Sequence, residues 1–341
     1  MSARHTRTPA DPVEIASWIL AAAALVLVLR LHLLTAFLAG LLVFELVHIL
    51  APTLERHLKF NRRSRLVAVG LLSTLIVGAI TAAIFGLIAF LRSDAGSLPS
   101  LLYKMAEILE KARIALPLWI VDYLPDTAED MRMAMSDWMH AHAGELRLVG
   151  AETGRTFLHI LVGMIIGAMI ALREAIDGET HPPLAAALAV RASKVGDAFR
   201  RVVFAQVRIS LINTVFTGIY LLVVLPLFGV HLPLAKTMVA ITFLAGLLPV
   251  IGNLISNTVI LVVSLANSVH VAIASFTFLV VIHKLEYFLN ARIVGTQIHA
   301  RPWELLIAML GMEAAFGLPG VAAAPIYYAY LKAELADRGL I

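Results

Sequence analysis

LVAVGLLSTLIVGAITAAIFGLIAFL, Leu66–Leu91, runs for 26 residues without a charged side chain. About 20 apolar residues in a helix cross the ~30 Å hydrocarbon core of a bilayer, so this run reads as a transmembrane helix. Comparable runs occupy Val13–Leu29, Leu33–Leu50, Leu148–Leu172 and Val202–Leu225, the last ending at Pro226, and a sixth covers Val269–Leu289. Composition agrees: 60% of the 341 residues are hydrophobic and 15% are charged, against roughly 25% charged in a soluble domain. Only Arg30, Leu31 and His32 join the first two runs, which predicts a tight turn. The first run follows Arg4 and Arg7 as a signal peptide would. Its length, and the second span directly behind it, predict an uncleaved anchor instead. Without cysteine there are no disulfides, thiol metal sites or cysteine nucleophiles.

Two more apolar stretches do not read as simple spans. Leu234–Ala266 is broken by LLPVIGN at Leu247–Asn253, and Trp303–Leu331 by FGLPG at Phe316–Gly320. Proline removes a helix donor and glycine permits a tight backbone, so each break predicts a turn. The arms beside each break hold about 12–14 residues, short for a crossing and suited to re-entrant segments. One long kinked span is the alternative.

Charge placement separates the two. Loop 51–65 holds five basic residues and one acidic, and segment 173–201 holds five basic residues. Both therefore read as cytoplasmic, with the N-terminus on the same side. If both stretches are hairpins, Lys284, Arg292, Arg301, Lys332 and Arg338 also fall inside. Continuous spans would put Lys284, Arg292 and Arg301 outside. The hairpin reading obeys the positive-inside rule. The expected fold is all-α and polytopic: about six full transmembrane helices plus two interrupted re-entrant-type hairpins, eight hydrophobic segments in all. Its parts are N-terminal spans (1–91), an extracytoplasmic helical insertion (92–147), a span with a cytoplasmic amphipathic segment (148–201) and a C-terminal transport core (202–341).

The insertion holds nine acidic and six basic residues. Leu101, Leu102, Met105, Ile108 and Leu109 form one helical stripe, and Met131, Met135, Trp138 and Met139 another, behind an Asp126/Glu129 capping box. These stripes need burial against each other, the membrane surface or a neighbouring subunit. In 173–201 a stripe of Leu184, Leu188, Val195 and Phe199 leads into the fifth span, and Arg191 within it is expected to snorkel.

Unwound backbone at membrane depth is tolerated only inside protein or beside a watery cavity. Paired interrupted segments are the strongest sequence pointer to a transporter's binding site. The candidate pathway is therefore Pro249, Gly252, Asn253, Ser256 and Asn257 on the first hairpin and Glu313, Gly317, Pro319 and Gly320 on the second. The two tips are expected near mid-membrane, with the solute site between them. Glu313 is a carboxylate within an apolar run, which serves either as a proton or solute ligand or as a packed structural acid. Asn253, Ser256 and Asn257 either bind solute or cap the second arm.

Secondary candidates lie elsewhere. Gln206, Ser210, Asn213 and Thr217 make one polar stripe on the fifth span, lining a pathway or hydrogen-bonding neighbouring helices. His283, Glu286 and Asn290 share a helix face as an interfacial pair or pH-sensitive gate, with too few ligands for a metal. Glu45 and His48 read as interfacial. No nucleotide-binding loop, catalytic triad or zinc motif is visible. That leaves a non-enzyme without cofactors, working by facilitated diffusion or by H+ or Na+ coupling. A membrane scaffold or regulator is the competing class.

LLPVIGN (Leu247–Asn253), HKLEYFLNARIVG (His283–Gly295) and PWELLIAMLGMEAAFGLPGVAAAPIYYAYLK (Pro302–Lys332) resemble the AI-2 exporter, or AI-2E transporter, family. The order of three N-terminal spans, a polar insertion and a hydrophobic C-terminal half is similar too. Ala291 departs from the pattern, since the family usually has proline there. The resemblance implies a multi-pass permease of the bacterial inner membrane that forms homo-oligomers such as pentamers; charge placement puts both termini on the cytoplasmic side. Its partners would be lipid and a small solute or ion, not nucleic acid. Family members are associated with export of the signal autoinducer-2, and others with sodium–proton antiport.

Overall fold

The computed structural model describes residues 11–57, 62–92, 143–176, 181–247, 251–293 and 301–340, with positions 130, 133 and 137. The described residues are helical and form no strand. The helices are α1 (Pro12–Arg30), α2 (Leu34–His57), α3 (Arg62–Arg92), α4 (Ala143–Ile176), α5 (Pro183–Ile219), α6 (Ala235–Gly246), α7 (Ile251–Asn267), α8 (Val269–Ile293), α9 (Pro302–Phe316) and α10 (Leu318–Asp337). Both stripes expected in the insertion lie outside the described residues.

Among the described residues, five helical segments are long and apolar enough to cross a membrane: Pro12–Arg30, Leu34–Thr53, Leu66–Gly86, Gly154–Glu174 and Pro183–Leu227. The sixth expected span is one continuous helix, α8, of 25 residues. Every sequence-predicted span is thus helical, and the chain is an all-α polytopic membrane protein.

The fifth span departs from expectation at both ends. α5 begins at Pro183, and its 37 residues make a rod of about 55 Å, longer than a bilayer is thick. Pro226 does not stop it. The helix passes through a π-helical turn, Tyr220–Val224, in which the Leu225 N–H donates to the Tyr220 carbonyl, and continues over Leu225–Leu227. The wider turn changes the hydrogen-bond register just ahead of a residue with no N–H to give. The chain then reverses at Gly229 (φ 76°).

The helices divide into two compact units. The first comprises Met1–Ile80, Arg155–Val202 and Ala300–Ile341, and thus holds α1, α2, α9, α10 and the first half of α5. In its core Val43 and Val47 of α2 meet Val69 and Ile76 of α3 and Met164 and Ala171 of α4. α2 and α4 approach backbone to backbone: a Cβ on Gly163 would strike the Ala36 carbonyl, and one on Gly167 the Gly40 carbonyl. The predicted α1–α2 turn is present, with His32 left-handed (φ 55°). His32 N–H donates to Leu29 O and Leu33 N–H to Val28 O, the paired bonds that close a helix C-terminus in a Schellman motif.

The second unit comprises Thr81–Gly154 and Val203–His299, with the second half of α5 and α6, α7 and α8. Its core gathers Tyr220, Leu221 and Leu225 around Met238 of α6, Ile260 and Val263 of α7 and Leu279 and Ile282 of α8.

Candidate functional site

The second hairpin is built of α9 and α10, joined at Gly317. Gly317 has φ 66° and ψ −151°, a region open in practice only to glycine. The arms then run antiparallel in close contact. Near the tip, Gly320 lies against α9 so tightly that a Cβ there would collide with the Met312 carbonyl oxygen and crowd Phe316. At the mouth, Glu304 Oε2 accepts from Lys332 Nζ at 2.7 Å, Tyr328 OH at 2.6 Å and the Arg301 N–H at 3.1 Å.

Contacts along α1 locate this tip within its unit. Along α1, Trp18 Nε1 donates to Glu334 (3.2 Å) and Leu25 O accepts from Tyr327 OH (3.0 Å). Leu29 clusters with Ala323, and the Arg30 guanidinium lies 5.6 Å over the Phe316 ring. α10 therefore follows α1 over its length, and the tip stands level with the α1–α2 turn, not half-way along it. α10 also continues to Asp337, six residues past the expected end at Leu331. Arms of 15 and 20 residues reach about 22 and 30 Å. Glu313, one turn before the joint, is exposed at this end, as are Gly317 and Pro319.

The first hairpin is built of α6 and α7. Pro249 and the two residues beside it lie outside the described residues, and of Gly252 and Asn253 only the helical backbone is described. Ser256 is buried and Asn257 half-buried in the opening turns of α7. The α5 stripe meets α6 where its terminal carbonyls lack helical partners. Gln206 Nε2 donates to Gly246 O and Ser210 Oγ to Phe243 O, each at 2.7 Å. Asn213 and Thr217 are buried on the same stripe. One turn on, Tyr220 OH lies 3.0 Å from Ser275 Oγ, which is 2.7 Å from Ser264 Oγ. Polar groups thus run from Gln206 to Tyr220, about 21 Å along the helix. His283 is exposed on α8, while the side chains of Glu286 and Asn290 lie outside the described residues.

Sequence reasoning missed an ionic cluster at the other end of α1. Arg191 does not snorkel; it is 6% exposed. Its guanidinium donates to Glu334 Oε2 at 2.5 Å, Glu14 Oε1 at 3.2 Å and Ser17 Oγ at 3.3 Å. Lys194 lies 3.0 Å from Glu334 and 2.7 Å from Asp337, and Arg338 pairs with Glu14. Arg191 and Arg338 both lie over the Trp18 ring. The beginning of α1 and the end of α10 are thereby fixed at one end of this unit. The available signal was a lone arginine, and two lone glutamates at apolar helix ends, with opposite charges waiting to pair.

These features define a class: a multi-helix membrane protein with two helical hairpins and polar side chains buried along one long helix. The family model for AI-2E family transporters matches residues 15–337. The chain belongs to that family and is a membrane transporter. No curated protein and no solved structure matches it.

Proposed function

We propose that the chain is a secondary permease of the bacterial cytoplasmic membrane, moving a small polar solute of the autoinducer-2 kind outward. The two interrupted helical hairpins supply its path. The observation that carries this reading is the α9–α10 joint. A single glycine reverses the chain, and an exposed carboxylate stands one turn away. Carboxylates in the apolar segments of membrane proteins mark ion and substrate pathways, and paired helix interruptions mark the binding region. Glu313 captures the solute or its coupling ion at the tip. H+ or Na+ drives the cycle, and the protein works as a homo-oligomer with both termini cytoplasmic.

Reconstitution into proteoliposomes tests the reading. The protein should move autoinducer-2 across the bilayer, and an imposed H+ or Na+ gradient should drive that movement. Glu313→Gln should reduce gradient-driven flux at least tenfold without altering expression or assembly. Equal flux from the variant removes Glu313 from the path, and no flux from either protein overturns the permease reading.

A further inference from the structure

Glu45 sits in the apolar stretch Leu34–Thr53 of α2 and was expected at the membrane interface. It is 5% exposed. Its carboxylate rests on bare α5 backbone at Gly196: a Cβ there would lie 2.8 Å from Glu45 Oε1. A side chain at position 196 would meet the end of the Glu45 side chain and require it to shift.

A buried carboxylate normally needs a close cation and a full set of hydrogen bonds. Among the described residues Glu45 has only a loose partner. Arg200 Nε lies 3.9 Å from Oε2, and the same guanidinium donates to Asp197 at 2.9 Å. Arg200 is itself about half exposed, so solvent weakens its pull on Glu45.

The next titratable group on this face of α2 is His48, one helical turn away at i+3 and thus a neighbour. Its ring packs on Phe44, with centroids 4.5 Å apart. His48 Nε2 lies 3.6 Å from Glu174 Oε1 of α4, and their side chains are 43% and 57% exposed. Exposure therefore rises stepwise from Glu45 through His48 to Glu174. The charged groups around Glu45 are Arg200 and Asp197 from α5, His48 from α2 and Glu174 from α4. All lie in one compact unit.

We propose that Glu45 is a proton-binding site, loaded from the membrane surface through Glu174 and His48. In loading, the His48 imidazolium passes its proton to the Glu45 carboxylate, and the imidazole takes a replacement from water by way of Glu174. Glu45 becomes a neutral acid over Gly196, and among the described residues Arg200 keeps Asp197 as its anionic partner. Release runs in reverse, restoring the carboxylate and its attraction to Arg200. Protonation thus switches the α2–α5 contact between an ionic and a neutral state. Acid–His chains of this sort serve as proton relays inside membranes. That this proton drives solute movement rests on the permease reading above; the binding site does not.

Infrared difference spectroscopy of the protein in lipid, taken between about pH 8 and pH 5, provides the test. The wild-type spectrum minus that of Glu45→Gln should contain one protonated-carboxyl C=O band. Glu45→Asp should move this band without abolishing it, and Glu313→Gln should leave it in place. After a pH jump, His48→Gln should slow the band's appearance on the order of 10²-fold while its final amplitude stays the same. A difference spectrum with no such band, or loading as fast without His48 as with it, overturns the proposal. The band persisting while reconstituted protein moves no solute would sink the permease reading and leave this site standing.

Discussion

Replacing Arg191 by methionine tests the ionic cluster most severely, because methionine retains the stem and removes only the charge and its donors. Arg191 and Glu334 have side chains 7% and 10% exposed and lie 2.5 Å apart. Removing one partner of a buried pair costs about 3–5 kcal/mol, because the other charge stays buried. Here Lys194 remains 3.0 Å from Glu334, and Arg338 still pairs with Glu14. The loss should therefore lie near the lower figure, about 3 kcal/mol, or roughly a hundredfold in the folding equilibrium. Glu334→Gln should cost less, since Arg191 retains Glu14 and Ser17. The double variant should fall short of the sum by about 1–3 kcal/mol, as expected for groups in one network. Reversible unfolding in mixed micelles measures all three. A loss below about 1 kcal/mol for Arg191→Met, or strict additivity with Glu334→Gln, would show that the cluster is solvated in the membrane and that the buried-pair reasoning fails.

At the hairpin joint, Gly317→Ala should cost about 1–3 kcal/mol for a side chain in a glycine-only conformation. Gly320→Ala should cost more, because the added methyl meets the Met312 backbone rather than a movable side chain; equal tolerance of alanine at both positions would contradict this packing. Glu304 ties the two arms together at the mouth, so Glu304→Gln should loosen the start of α9, because Lys332 loses its counter-charge. Hydrogen exchange there should be faster in the variant than in the parent, and unchanged exchange would refute the Lys332–Glu304–Tyr328 contact.

Local rules are enough for much of this protein. The apolar runs dictate helices because a backbone in lipid must satisfy its hydrogen bonds internally, and each predicted run is helical. The FGLPG break located the α9–α10 joint to within five residues, and the joint falls at Gly317, where glycine alone relieves the backbone. Residues that carry no local signal could not be placed this way. Arg191 looked like a snorkelling arginine because its partners, Glu14 and Glu334, are 177 and 143 positions away. Glu45 looked interfacial because nothing near it in sequence announces Gly196 as its seat. Tip depth was open for the same reason: arm length limits how far a hairpin can reach, while contacts from Trp18 to Arg30 decide where it stops. Sequence fixes what each helix needs to bury or pair, and only tertiary packing chooses the partner, because electrostatics and close contact act through space rather than along the chain.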